Sequence, residues 1–252
     1  MLSLDKGVLM EIRLKAFLYH LLGSAVIALF VISLVFFVWY PAPLHIATGV
    51  ITIFLLLLAV DVILGPLLTF LVFKPGKKSL VFDLSVIILL QLSALAYGLH
   101  TVAEGRPAWL VFSVDRFELV RANEIDNRNL ANTLPEYQKP AWLGPQWVAA
   151  VAPFHSEANS NLLFEALFTG VDIAQRPELY QPLSAQKENV QHRSQPLSKL
   201  ELFNPAGHLE VTLAKHPKAN SWLPLKAVNQ DMVVLLDDVT VEVVAVVDLR
   251  PW

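Results

Sequence analysis

The sequence predicts a membrane protein with three transmembrane α-helices, followed by an α+β domain with a largely antiparallel sheet. Hydrophobic residues make up 55% of the 252 residues, whereas a soluble domain averages roughly 45–50%. The excess lies in three long apolar stretches within the first hundred residues. The remaining chain has the mixed composition of a soluble domain, and about 150 residues are enough to build one hydrophobic core.

The apolar stretches cover residues 17–39, 46–73 and 79–100. A helix crosses the hydrocarbon core with about 20 apolar residues, so each stretch is long enough to span. The first exceeds the apolar run of about 7–15 residues in a cleaved signal peptide, and this favours a permanent anchor. The predicted divisions are a cytoplasmic segment 1–16, a membrane region 17–100 and a periplasmic domain 101–252.

Positive charge in the short connections predicts the orientation. The Lys and Arg residues of the first hundred positions stand before the first stretch and between the second and third: Lys6, Arg13, Lys15, Lys74, Lys77 and Lys78. The connection at 41–45 has none. Because Lys and Arg concentrate in cytoplasmic loops, we expect the N-in, C-out orientation. In a bacterium this describes a multi-pass inner-membrane protein with its carboxyl-terminal domain in the periplasm.

Polar residues inside the apolar stretches are the candidate functional residues, because an ionisable group within a membrane is costly. A rise of about 1.5 Å per residue puts Asp61 about 20 Å, and Gln91 about 18 Å, from the same membrane edge. Both then lie near mid-membrane, within reach of a mutual hydrogen bond. His20 and Asp83 lie about one turn inside that edge and form a candidate second polar layer. Either these groups pair within the bundle and fix helix register, or Asp61 faces a partner helix or a proton path.

Gly65 and Pro66 follow Asp61 by about one helical turn. Proline removes a backbone hydrogen bond and tends to kink a helix, while glycine lets another backbone approach closely. Together with Asp61 they predict a docking notch for a partner helix, with a packing role as the alternative. Transport is disfavoured, because transporters normally contain repeated halves with matching broken helices and no such repeat is visible.

The domain that follows shows both strand and helix patterns. Runs rich in β-branched and aromatic residues predict strands at 109–120, 147–151, 209–213, 222–228, 232–236 and 241–249, with a hairpin turn at 237–240. Helical patterns cover 123–134, 156–168 and 186–202. Strands, then helices, then strands again indicate an α+β fold.

The domain contains no recognisable catalytic or nucleotide-binding motif, and the chain has no cysteine. The histidines after residue 100 lack the spacing of metal ligands. Residues 101–252 contain 13 Lys or Arg and 18 Asp or Glu without a basic stripe, which argues against nucleic acid as a partner. We therefore expect no enzyme activity, no metal and no cofactor.

Several ordered motifs resemble the type IV pilin accessory proteins of the TfpX/TfpZ kind. In chain order they are RLKAF at 13–17, FFVWYP at 36–41, DVILGPLLT at 61–69, VFKPGKKSL at 72–80, FDLS at 82–85, YG at 97–98, VDRF at 114–117, RPELY at 176–180 and DLRPW at 248–252. The similarity covers essentially the whole chain, is strong through residue 120 and is patchy between about 125 and 200.

The resemblance implies a non-enzymatic, chaperone-like accessory protein of the inner membrane that binds the major type IV pilin and aids its stability or pilus assembly. A pilin waiting in the membrane has one transmembrane helix and a periplasmic head. We therefore expect the bundle to hold the pilin helix at Asp61, Gly65 and Pro66, with the domain contacting the head. His20, Asp83 and Gln91 are the expected intramembrane polar partners.

Two other classes compete with this interpretation. A membrane-anchored periplasmic ligand sensor or signalling adaptor is the main alternative, although the cytoplasmic side offers only about 16 residues and one short loop, too little for an output domain. A membrane-bound hydrolase is disfavoured by the missing motifs. The sequence leaves open the oligomeric state and the particular pilin that is recognised.

Overall fold

A computed structural model of the protein describes residues 6–152, 168 and 170–252. The chain divides into two compact units. The first contains the residues through Phe37 together with Val50–Ala103. The second contains Glu104–Trp252 and also Val38–Gly49, hereafter the inter-helix segment. The chain thus contributes to the second unit before the second long helix has begun.

Long helices form the first unit, and the three predicted apolar helices are confirmed as helices. Helix α1 (Lys6–Ser33) continues as a π-helical stretch at Leu34–Trp39, and α2 (Leu44–Thr48) is a short helix of the inter-helix segment. Helices α3 (Val50–Val72) and α4 (Leu80–Glu104) follow. The helical regions Lys6–Trp39, Val50–Val72 and Leu80–Glu104 are each long and apolar enough to cross a membrane.

The second predicted helix starts later than its apolar pattern suggests. The apolar run begins at residue 46, but the chain breaks at Gly49, where φ is +71°. This left-handed conformation is readily adopted only by glycine and commonly ends a helix. The break separates α2 from α3 and assigns the two helices to different units.

The second unit is built on one sheet. Its strands are β1 (Pro107–Ser113), β2 (Arg116–Arg121), β3 (Gln146–Ala150), β4 (Tyr180–Pro182), β5 (Gln195–Pro196), β6 (Ser221–Lys226), β7 (Met232–Asp237) and β8 (Glu242–Val247). Their spatial order is β4-β3-β1-β2-β6-β7-β8, with β5 also paired to β6. The pairings β1–β3 and β2–β6 are parallel, while the others among the described strands are antiparallel. The sheet is therefore mixed rather than uniformly antiparallel.

Side chains of the central strands alternate between two buried faces, as the period-2 geometry of a strand requires. One face presents residues such as Leu110, Phe117 and Val234, and α2 packs against it. The other face carries Trp109 among its buried residues near β1, and Trp222 in a separate apolar cluster near β7. Because both faces are covered, β1 and β7 appear in the sequence as continuous apolar runs instead of alternating ones.

Two strand predictions are wrong. The run at 109–120 is a hairpin of β1 and β2, which turns at Val114 with φ +59°. A β-branched residue rarely adopts this conformation, so the local sequence carries no turn signal. The run at 209–213 is part of a helix, α6 (Ala206–Ala214). Its leucines lie four residues apart, on one face of that helix, with Leu209 buried.

The predicted helices of the domain also differ from the structure. Residues 123–134 form only short 3-10 turns at Ala122–Glu124 and Leu130–Asn132. The pattern at 186–202 contains a seven-residue helix, α5 (Lys187–Arg193), followed by β5 and a 3-10 stretch at Leu197–Leu202. The helix predicted at 156–168 lies outside the described residues except for its last position. The remaining predicted strands and the turn at 237–240 are confirmed.

Candidate functional site

Helices α1 and α3 are held together at both ends. Phe17 meets Phe70 edge to face with ring centroids 6.3 Å apart, and Phe36 meets Phe54 in the same way at 5.5 Å. The Arg13 Nε group donates to the carbonyl oxygen of the residue after α3, at 2.8 Å. Carbonyl groups at a helix end lack partners within the helix, so the guanidinium supplies one. These contacts hold α1 and α3 against each other, and both helices line the candidate site.

A groove of about 530 Å³ lies among the three long helices of the first unit. Its walls are mainly apolar side chains and small residues of α1. The polar residues that line it are Tyr19, His20, Ser24, Asp61, Thr69 and Gln91. The structure therefore brings three of the candidate residues from the sequence, His20, Asp61 and Gln91, to one groove.

Asp61 and Gln91 meet in this groove, but not through the predicted side-chain pair. The Gln91 Nε2 group donates to the backbone carbonyl oxygen of Asp61, at 2.9 Å. Asp61 Oδ2 and Gln91 Oε1 are buried and have no hydrogen-bond partner among the described residues. Leaving a buried acceptor unpaired costs about 1–3 kcal/mol. Two unpaired acceptor oxygens in an apolar groove suit a ligand or partner that supplies hydrogen-bond donors.

Gly65 and Pro66 have a different environment from Asp61. Both are buried within the first unit and neither lines the groove. A Cβ added at Gly65 would collide with the amide group of Gln91. The glycine therefore makes room for the Gln91 side chain, and this side chain occupies the space in which a notch was expected.

His20 and Asp83 use separate partners instead of forming one polar layer. His20 Nδ1 and Thr69 Oγ1 are 2.6 Å apart and share a hydrogen bond between α1 and α3. Asp83 forms an ion pair with Lys77 at 2.6 Å and accepts a hydrogen bond from Ser79 at 3.1 Å. The first pair links two helices, whereas the second joins side chains at the start of α4.

The inter-helix segment is a structural part of the second unit, which the sequence did not suggest. Leu44 and Ala47 are 3% and 0% exposed and belong to the core beneath the sheet. The backbone N–H groups of Asn229 and Gln230 donate to the Ala47 carbonyl at 2.9 and 3.2 Å. The Asn229 side chain donates to a neighbouring carbonyl of α2 at 3.0 Å. The only local signal was the helical spacing of the two apolar residues before a glycine.

Aromatic residues extend the contacts of this segment. Trp39 packs on Trp142 with ring centroids 6.0 Å apart, and the Arg106 guanidinium lies 4.4 Å from the centre of the Trp142 ring. A cation over an indole face is attracted by the ring's quadrupole. Tyr40 is 2% exposed, and burial raises the pKa of its phenol. The segment therefore enters the second unit through a cluster of aromatic side chains.

A charged pair stabilises the irregular region after β2. Arg128 donates to both carboxylate oxygens of Asp126, at 2.7 to 3.0 Å. These hydrogen bonds hold the pKa of the nearly buried Asp126 carboxyl below its ordinary value. Such a planar, two-point contact is stronger than a single neutral hydrogen bond. We assign this pair to the fold, because its carboxylate is already satisfied.

The described residues contain no cluster of three or more His, Cys, Asp or Glu side chains that could hold a metal ion. Among the described histidines of the second unit, the Nε2 atom of His208 lies 3.1 Å from the Asp248 carbonyl oxygen. The fold and the groove together define a class: a protein with three candidate membrane-spanning helices, a mixed-sheet domain and a mainly apolar groove between the helices that contains a few polar side chains.

Sequence comparison identifies the family of the chain. A family model described as fimbrial assembly protein FimB matches residues 9–49. The fimbrial assembly protein of serogroup E1 of Dichelobacter nodosus is 36% identical over 182 residues, covering 71% of this chain and 70% of that protein. The protein of serogroup I is 35% identical over 182 residues, with the same two coverages. The chain belongs to the FimB family of fimbrial assembly proteins.

A shorter relative matches a smaller part of the chain. The fimbrial assembly protein of serogroups C1 and C2 of Dichelobacter nodosus is 38% identical over 119 residues, which is 46% of this chain and 88% of that protein. No solved structure matches the chain. The region matched by the family model consists of α1 and the inter-helix segment.

Proposed function

We propose that this protein is a non-enzymatic accessory protein of the bacterial inner membrane, which binds a type IV pilin and aids its stability or pilus assembly. The fimbrial assembly proteins of Dichelobacter nodosus support the role in assembly by their names and their similarity. Within the family, the motifs quoted above favour the TfpX/TfpZ kind. The chaperone-like action and the major pilin as partner belong to the proposal.

The proposed orientation is N-in, C-out. Lys and Arg residues occupy the start of α1 and the connection between α3 and α4, while the inter-helix segment has neither. The excess of positive charge in cytoplasmic loops favours an outer location for the inter-helix segment. Since this segment belongs to the same compact unit as Glu104–Trp252, both parts would lie in the periplasm.

The pair of unpaired acceptor oxygens in the groove is the observation that carries the proposed pilin contact. Asp61 Oδ2 and Gln91 Oε1 lie in mainly apolar surroundings. A new hydrogen bond to either oxygen is favourable there, because the oxygen loses no hydrogen bond to bulk water when it forms. A donor on the transmembrane helix of a pilin would satisfy them. Asp61 then contacts the pilin directly, while Gly65 contributes by making room for Gln91 and Pro66 by its buried position in α3.

Photo-crosslinking in membranes tests this contact. A photoreactive residue at Val62, which lines the groove, is expected to capture the pilin. The same residue at Leu64, which is 49% exposed and lies outside the groove, is expected to capture it less. Equal capture from both positions, or capture from Leu64 alone, would contradict contact through the groove.

Substitution of Asp61 supplies a second test. Asp61→Leu removes both acceptor oxygens and Asp61→Asn replaces one of them with an amide donor, so both variants should lower capture from Val62 and the amount of pilin in the membrane. Asp83→Asn is the matched control, because that carboxylate is already paired with Lys77. If both Asp61 variants behave like the native protein, the role assigned to Asp61 is wrong. If the pilin also fails to co-purify with the native protein, the proposed function is wrong.

A further inference from the structure

The second unit contains a cleft of about 730 Å³, located where β6 changes neighbours. One edge of β6 pairs with β7 over Ser221–Leu225. On the opposite edge, β5 pairs at Ser221 and Trp222, and β2 pairs at Leu225 and Lys226. The cleft opens between these two neighbours. It is therefore a gap in the described sheet and lies entirely within one unit.

The cleft is unsuited to the addition of another strand. Only Leu223 and Pro224 separate the two pairings on this edge of β6. Proline has no backbone N–H to donate. A bound peptide would therefore be recognised through the side chains around the gap rather than through a ladder of backbone hydrogen bonds.

Positive side chains surround the cleft, although the domain as a whole is acidic. Arg116, Arg193 and Lys199 line it together with His192, and Asp115 is the one acidic side chain among the lining residues. Residues 101–252 contain 13 Lys or Arg against 18 Asp or Glu. The positive charge is thus concentrated at this position, against the overall balance of the domain.

Two of these cations have no carboxylate partner within the part of the chain that the structure describes. Arg193 is exposed, and neither it nor Lys199 forms an ion pair with any described residue. The Lys199 ammonium donates only to the neutral Gln195 side chain, at 3.2 Å. Arg116 differs, because its guanidinium lies 3.4 Å from Glu118. Arg193 and Lys199 therefore offer charge that a bound anion can use.

Exposed apolar side chains lie beside the cations. Leu202 is 77% exposed, Phe203 is 41% exposed and Trp252 is 55% exposed. The Trp252 ring is held in place by its Nε1 group, which donates to Asp231 at 2.9 Å. Burial of such side chains against a partner is favourable in proportion to the apolar area removed from water. The cleft combines this apolar surface with unpaired positive charge.

We propose that this cleft binds an acidic peptide segment of a partner protein, with carboxylates on Arg193 and Lys199 and an apolar residue against Leu202 and Phe203. Charge complementarity selects the acidic residues, and the apolar surface distinguishes a peptide from a simple anion. The cleft is separate from the groove among the helices. The proposal does not depend on the contact assigned to Asp61.

Fluorescence anisotropy on the full chain in phosphatidylcholine nanodiscs tests the proposal. The probe is a labelled synthetic peptide of Glu and Leu residues spaced by Ser and Gly, and the comparison peptide has Lys in place of Glu. The native protein should bind the Glu peptide and not the Lys peptide. Arg193→Glu with Lys199→Glu should weaken binding by about tenfold, and Leu202→Ser should weaken it independently.

Lys215→Glu with Lys218→Glu is the matched control, because both lysines are exposed and lie outside the cleft. This control should bind like the native protein. The milder Arg193→Gln variant should bind with intermediate strength, as long as the domain stays folded. Equal weakening in the control, or equal binding of the Lys peptide by the native protein, would overturn the proposal.

Discussion

Replacing Leu44 by Ala tests whether the inter-helix segment is part of the hydrophobic core of the second unit. The side chain is 3% exposed and packs with residues of β1, β2, β6 and β7. Leu and Ala differ by three carbon atoms, each worth about 0.8 kcal/mol when buried, which gives about 2.4 kcal/mol. The cavity left behind raises the expected loss to about 3 kcal/mol, within the range of about 2–5 kcal/mol for such changes.

Hydrogen exchange read by mass spectrometry on the full chain in detergent measures this loss. Amides of β6 and β7 exchange when the core of the unit opens. A loss of about 1.4 kcal/mol in the free energy of opening makes this exchange about tenfold faster. Their exchange should therefore be about a hundredfold faster in Leu44→Ala. Leu143→Ala is the matched control, because Leu143 belongs to the same unit and is 82% exposed. Unchanged exchange in Leu44→Ala, or equal acceleration in the control, would refute the placement of the segment in the core.

Three further predictions concern both units. Gly65→Ala should lower the free energy of unfolding of the full chain in detergent by about 1–3 kcal/mol, because the new methyl group displaces Gln91. Gly23→Ala meets no neighbour and should be neutral or stabilising in the same circular-dichroism melt. Asp126→Asn should lower the free energy of unfolding by about 1 kcal/mol at neutral pH. The native carboxylate contributes fully above its unfolded-state pKa of about 3.9, and its contribution disappears as the pH falls through the lowered folded-state pKa, so denaturation curves of the two proteins should converge in acid. Asn229→Ala removes one hydrogen bond to α2 and should cost about 1 kcal/mol by the same method, or less if water replaces it.

Local patterns were sufficient to predict the long helices and four of the eight described strands. The apolar stretches gave α1, α3 and α4, and the β-branched runs gave β3, β6, β7 and β8. Both signals depend on residues close together in the chain. They failed at Val114, where a residue with low turn propensity adopts a positive φ, because the surrounding hairpin imposes that conformation.

The candidate site was predictable only as a set of residues. Depth counting placed Asp61 and Gln91 at the same level, and the structure does bring them into contact. Their geometry was not predictable, because depth along a helix does not fix which atom of Asp61 the Gln91 side chain reaches. The partners of His20 and Asp83 were also missed. The structure shows them to be Thr69 and Lys77, and depth along a helix does not select these residues from their neighbours.

The sequence by itself determined that the chain has three long apolar helices and one mixed α and β domain, since hydrophobic length and periodicity are local properties. Only the tertiary structure decided that Val38–Gly49 belongs to the domain, because its burial depends on strands that follow more than sixty residues later. It also decided that Gly65 seats Gln91 and that Asp61 keeps an unpaired oxygen in the groove. Contacts between distant residues depend on how helices and strands pack, and no local pattern encodes that packing.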